Sequence, residues 1–153
     1  MADDQDIQEI EELQAILRED SSNFQARRRL AVVLLDKGFN DESLKQFQFL
    51  ISIFPQDASL YYNKGIVYEK MRDLPHAEEA YLKAIDLSPN ETDFYYNLGL
   101  VYIDMREFDK AIEQFKIVLE TDVDDSNSYF NLGLCYVKKE QPEIAKVCFM
   151  KAV

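Results

Sequence analysis

A step of 34 residues runs through this chain. Gly65, Gly99 and Gly133 keep it, as do Tyr61, Tyr95 and Tyr129, and Tyr68, Tyr102 and Tyr136. Ala77, Ala111 and Ala145 keep it as well, each followed four residues later by an aromatic, Tyr81, Phe115 or Phe149. Self-similarity at one period of this length marks stacked supersecondary units, none of which buries its apolar face alone. Within a unit, Tyr61, Lys64, Gly65 and Tyr68 fall at i, i+3, i+4 and i+7, and Ala77, Tyr81 and Ala84 repeat that helical spacing. Each unit is therefore predicted to be two helices. A glycine inside a helix costs about 1 kcal/mol against alanine, so its recurrence implies a packing reason, and Gly65 opposite Ala77 predicts a tight hairpin.

Written out, Tyr61-Tyr-Asn-Lys-Gly65-Ile-Val-Tyr68 returns as Tyr95-Tyr-Asn-Leu-Gly99-Leu-Val-Tyr102 and as Tyr129-Phe-Asn-Leu-Gly133-Leu-Cys-Tyr136. This pattern resembles the tetratricopeptide repeat, which sets a large aromatic, Leu-Gly and Tyr on a first helix, Ala and an aromatic on a second, and often Pro after it. Pro55 and Pro89 suit that last place and Val123 does not; Tyr stands for the family's Trp throughout. The resemblance implies an all-α solenoid, a right-handed superhelix of antiparallel helix pairs with about nine helices. Its divisions are an acidic segment with a capping helix at 1–23, a degenerate repeat at 24–57, repeats at 58–91 and 92–125, and an incomplete one at 126–153. In the degenerate copy Leu30, Ala31, Leu34, Ser43, Phe47 and Leu50 fill the columns, with Ala for Gly and Ser for Ala. Leu13 and Ile16 lie 34 before Phe47 and Leu50, so residues 5–19 are predicted to form a second-type helix capping the stack.

Local signals set the helix ends. Asn23, Asp57 and Asp125 can cap first helices, and Pro75 and Pro142 suit the opening turn of second ones. Few Gly and Pro leave little material for loops, and no sheet is expected.

A formal charge of -12 opposes nucleic acid, since the one tight basic cluster, Arg27, Arg28 and Arg29, reads as a solvated helix face. Acid is densest at the start, where Asp3, Asp4, Asp6, Glu9, Glu11, Glu12, Glu19 and Asp20 stand against Arg18 alone. An anionic membrane surface repels such a segment. The opening Met1-Ala-Asp-Asp lacks a basic flank and an apolar run, and no stretch reaches a span of about 18 apolar residues, so neither a signal peptide nor a membrane span is expected. Cytoplasmic placement follows as the expectation, with Cys135 and Cys148 as reduced, buried thiols.

Catalysis and cofactors are not expected. His76 is the one histidine, beside Pro75 at a helix start; Asp122, Asp124 and Asp125 lack calcium-loop spacing and read as caps and solvated charge. The isolated glycines form the repeat column, with no phosphate loop and no nucleophile elbow. No metal site is expected.

In the tetratricopeptide family the first helix of each repeat lines a concave groove. Just off the packing stripe here lie Tyr62, Ile66 and Glu69, then Tyr96, Leu100 and Ile103, then Phe130, Leu134 and Val137, each set at i, i+4, i+7. These make a second apolar stripe, which is either buried by the next repeat or exposed as a partner-binding surface. Asn63, Asn97 and Asn131 follow one place after Tyr62, Tyr96 and Phe130. Similar asparagine rows in the family hold the backbone of extended peptides; the other reading is a bond tying neighbouring helices. The family's clamp for the acidic EEVD tail of chaperones falls on Arg28, Val32, Asn63, Asp93 and Asn97, of which only Arg28 and Asn63 suit it. Asp93 repels a carboxylate, so that clamp is rejected.

The leading expectation is a scaffold or adaptor that holds a protein or peptide segment in this groove. The alternatives are a secretion-type chaperone for an apolar export substrate, and the targeting arm of a larger enzyme. A full last repeat runs about six residues past Val153. Phe149, Met150 and Ala152 are thus expected to be covered by a continuing chain or by self-association with another molecule.

Overall fold

The computed structural model describes residues 4–153, with side chains from Asp6 onward; residues 1–3 of the acidic opening lie outside the described residues. Nine α-helices and no strand occur among them: α1 Asp4–Glu19, α2 Phe24–Asp36, α3 Asn40–Ile53, α4 Ala58–Lys70, α5 Leu74–Leu87, α6 Thr92–Asp104, α7 Phe108–Thr121, α8 Ser126–Lys138 and α9 Pro142–Lys151. Each helix packs chiefly on its neighbours in the chain, and the pairs α2–α3, α4–α5, α6–α7 and α8–α9 hold most tightly. This is the all-α solenoid of antiparallel helix pairs that the period predicts.

The expected caps form. Asn23 accepts from the Ala26 amide at 3.0 Å, Asp57 from Ser59 at 3.0 Å and Asp125 from Ser128 at 2.8 Å. Pro75 and Pro142 open α5 and α9, where a missing N–H costs nothing. Three of the second helices follow a turn whose pivotal residue is left-handed without being glycine: Arg72, Arg106 and Glu140 have φ of 60°, 63° and 58°. Gly38, one step of 34 earlier, holds φ 83°. At each turn the next amide reaches back to the third-last carbonyl of the first helix, as from Asp73 to Tyr68 at 2.9 Å and Glu107 to Tyr102 at 2.8 Å.

The core follows the repeat columns. Leu60, Val67, Tyr81, Leu98, Val101, Phe115 and Cys135 are sealed from solvent. Ser43, standing where the other repeats have Ala, is buried and donates its hydroxyl to the Ala31 carbonyl at 2.7 Å, so the exchange leaves no unsatisfied group.

A side chain at the glycine column would first meet the aromatic of the second helix. A Cβ on Gly65 would stand 2.6 Å from Cε1 of Tyr81, and one on Gly99 2.8 Å from Cζ of Phe115; Gly133 meets the Phe149 ring in the same way. The absent side chain therefore makes room for the aromatic one turn beyond the alanine.

Candidate functional site

The predicted second stripe lies on α4, α6 and α8, and its environment changes from one helix to the next. Tyr62 is half-buried, stacked on Phe94 of α6 with centroids 4.8 Å apart and tilted against Tyr81 at 5.8 Å. Ile66, Leu100 and Ile103 are half-buried beside the same core, and Tyr96 meets Phe115 edge-on at 5.6 Å. On α8 the stripe opens: Phe130 is 51% exposed, Leu134 38% and Val137 50%. The stripe is thus half-buried on α4 and α6 and more exposed on α8.

The asparagines do not form a uniform row of free amides. Asn97 donates to the Tyr62 hydroxyl at 3.1 Å, and Asn131 donates to the Tyr96 hydroxyl at 3.1 Å. Asn131 is buried and also donates to the Asn127 carbonyl at 3.0 Å. Asn63 donates to the Ser59 carbonyl of its own helix at 2.8 Å. Neighbouring repeats are therefore tied by a side-chain bond between residues 35 apart, which pairwise inspection of the Tyr and Asn columns could have found. Such a bond contributes about 1 kcal/mol and orients the tyrosine rings.

Glu69, predicted on the stripe, is half-buried and accepts a hydrogen bond from the Tyr81 hydroxyl. Burial holds its carboxyl above the ordinary value of 4.5, and burial with that same bond pushes the Tyr81 phenol far above its usual range. Of the residues at the carboxylate-clamp positions, Arg28 is committed to Asp57 at 2.6 Å and lies over the Phe54 ring, Val32 is half-buried, and Asp93 is exposed.

Elsewhere the chemistry is sparse. His76 is exposed, 2.8 Å from Asp73 and stacked on Tyr68. Together with Tyr61, Lys64, Glu79 and Lys83 it lines a recess of about 480 Å³ between α4 and α5, where cations and carboxylates alternate. Cys135 and Cys148 are buried free thiols, that of Cys135 pushed up to about 11 by burial. Among the described residues no cluster of three His, Cys, Asp or Glu could hold a metal, and no helix is long and apolar enough to cross a membrane.

Sequence models of the tetratricopeptide repeat match residues 58–91, 80–113 and 126–153. No curated protein matches the sequence. Among solved structures, MamA is 28% identical, with 94% of this chain and 84% of that one covered at a TM-score of 0.87. MamA from Desulfovibrio magneticus RS-1, from its residue 41 onward, is 21% identical over 94% of this chain and 81% of that one, with a TM-score of 0.87, a likeness of fold. YrrB, a tetratricopeptide-repeat protein with an unusual peptide-binding site, is 25% identical over 95% of this chain and 77% of that one, with a TM-score of 0.81.

Proposed function

This chain belongs to the tetratricopeptide-repeat family, and from that premise we propose that it is an adaptor holding a peptide segment of a partner in the hollow lined by α4, α6 and α8. Protein interaction is the general role of a scaffold of this fold. The observation that carries the finer reading is that Tyr62, Ile66, Tyr96, Leu100, Ile103, Phe130, Leu134 and Val137, at equivalent places on the three first helices, are all at least partly open to solvent. Aromatic and aliphatic side chains in a strip, already ordered by packing from below, lose little entropy on binding and make good anchors.

The asparagines take separate roles in this reading. Asn97 and Asn131 brace the floor by fixing Tyr62 and Tyr96, and Asn63 is the member with the freest surroundings for a ligand backbone. Glu69 in the last turn of α4 and Asp93 in the first turn of α6 add negative charge beside the strip, which disfavours an acidic tail and agrees with rejection of the carboxylate clamp. A peptide ligand is also supported by the peptide-binding site of YrrB.

A photo-crosslinking residue placed at Leu100 should capture the partner in cells, and one placed at Lys116 on α7 should not. In calorimetry with the partner so identified, Phe130→Ala and Tyr96→Ala should each weaken binding by about 2 kcal/mol. Binding that survives both but is lost in Lys116→Glu or Glu113→Lys would move the site to the convex face.

A further inference from the structure

Lys64 breaks a repeat column. Leu30, Leu98 and Leu132 hold its place in the other repeats and are 2%, 0% and 4% exposed, whereas Lys64 is half-buried. An ammonium cannot be sealed in a core as leucine is, because its desolvation goes uncompensated without a partner. The recess of about 480 Å³ between α4 and α5 lies at this break. Half-buried Tyr61, Lys64 and Tyr68 and buried Ala80 form its floor, and the exposed side chains of α5 form its rim. The floor is ordered in advance: Tyr61 donates to the Pro55 carbonyl at 3.0 Å, and Tyr68 stacks on His76 with centroids 5.1 Å apart.

The charges of the recess are not all matched. Lys83 is committed to Asp86 at 3.2 Å, and His76 to Asp73 at 2.8 Å. Lys64 enters none of the ion pairs or hydrogen bonds among the described residues; its ammonium lies over the Tyr68 ring, 5.6 Å from the centroid. The next repeat shows the matched case. There Lys110 lies over the Tyr102 ring at 5.1 Å and also reaches Glu107 at 2.5 Å and Glu78 at 3.9 Å. An anion entering the first recess would give Lys64 the partner that Lys110 already has. Glu79 at the rim repels a dianion twice as strongly as a monoanion, which favours a carboxylate over a phosphate. The tyrosine rings and Ala80 favour an apolar stem behind that carboxylate, and the volume falls in the range of small-molecule sites.

We propose that this recess binds a monocarboxylate on an apolar stem, carried by a free organic acid or by an acidic side chain of a partner. The carboxylate meets Lys64, and the stem lies against Tyr61, Tyr68 and Ala80. The site shares no residue with the strip of the adaptor reading and does not depend on it. It also shares none with the carboxylate-clamp positions Arg28, Val32, Asn63, Asp93 and Asn97.

The test is a heteronuclear NMR titration of the whole protein with hydrocinnamate, with its neutral twin hydrocinnamide, and with the methylamide of N-acetylglutamic acid. The acids should shift the amides of Tyr61, Lys64, Tyr68 and Ala80 saturably, and hydrocinnamide should bind at least tenfold more weakly. Lys64→Leu restores the residue of the other repeats, so it should melt higher than the natural protein while weakening the acids at least tenfold. Lys64→Met makes the same comparison at nearly the natural side-chain length. Lys64→Arg should retain binding, Glu79→Gln should tighten it, and Ile66→Ala should leave it unchanged. Tighter binding of hydrocinnamate supports a free acid as the ligand, and tighter binding of the glutamyl compound supports a partner's side chain. Equal binding of acid and amide overturns the proposal, as does affinity that survives Lys64→Leu and Lys64→Met, or the lack of saturable shifts with both acids.

Discussion

The pairs α6–α7 and α8–α9 are built on the same columns, yet they occupy different environments. In the first, Phe115 is sealed, Ile112 is buried and Tyr96 is half-covered; in the second, Phe149 is half-open, Lys146 is exposed and Phe130 is 51% exposed. The side chains in register are chemically close in two of these three columns, so the difference comes from what lies on top. In a quasi-one-dimensional stack each interface is shared, and a residue's worth is set by its neighbour as much as by its own type.

The widest gap should appear at the paired aromatics. Phe115→Ala should cost about 4 kcal/mol in chemical denaturation, and Phe149→Ala roughly half as much, because part of its surface is already wet. Equal costs would break the comparison.

Next come the glycines those rings fill. Gly99→Ala should destabilise by about 2 kcal/mol, since the sealed Phe115 ring has nowhere to move, with helix propensity returning about 1 kcal/mol of a larger clash. Gly133→Ala should cost less than about 1 kcal/mol, because the Phe149 ring can swing outward. A Gly133 variant as damaging as the Gly99 one would mean that the end face is held closed in solution.

A smaller effect isolates the ties between repeats. Asn97→Ala and Tyr62→Phe should couple by about 1 kcal/mol in a double-mutant cycle read by thermal denaturation, and additive effects would remove the bond from the energetics. Phe130→Tyr, at the open end, should change stability by less than about 0.5 kcal/mol.

The smallest effect concerns Glu69, whose column holds Ile103 and Val137 in the later repeats. Its folded-state carboxyl is held above 4.5 by burial, so folding favours the protonated form. That contribution is complete below the unfolded value and is lost as pH rises through the folded one. Glu69→Gln should therefore match the natural protein in melting temperature below about pH 4 and exceed it slightly at pH 7; a gap that narrows with rising pH would reverse the assignment.

Most of the fold is legible in the sequence because the repeat states each packing column several times: the Gly, Tyr and Ala columns give the helix pairs, and Asn23, Asp57 and Asp125 give their starts. The partner of the glycine is not legible. Ala77 and Tyr81 both face α4, and which one fills the gap depends on how far the ring reaches over its own backbone. The bond from Asn97 to Tyr62 was legible as one of two readings, since an amide can serve a neighbouring helix or a ligand, and composition does not choose between them. Exposure of the stripe is a property of stacking, so identical spacing on α4, α6 and α8 leads to different surfaces.

The left-handed residues at the turns bear on how the molecule assembles. Arg72, Arg106 and Glu140 each carry a conformational penalty of roughly 1–2 kcal/mol that Gly38 escapes. A cost of that size lowers the population of the unpacked turn by a factor of roughly 5 to 30. In those three pairs the reversal leans on the ring and glycine that meet across the helices. Between α2 and α3, where Gly38 carries no such cost, the backbone favours the reversal in advance, and that hairpin is expected to order first.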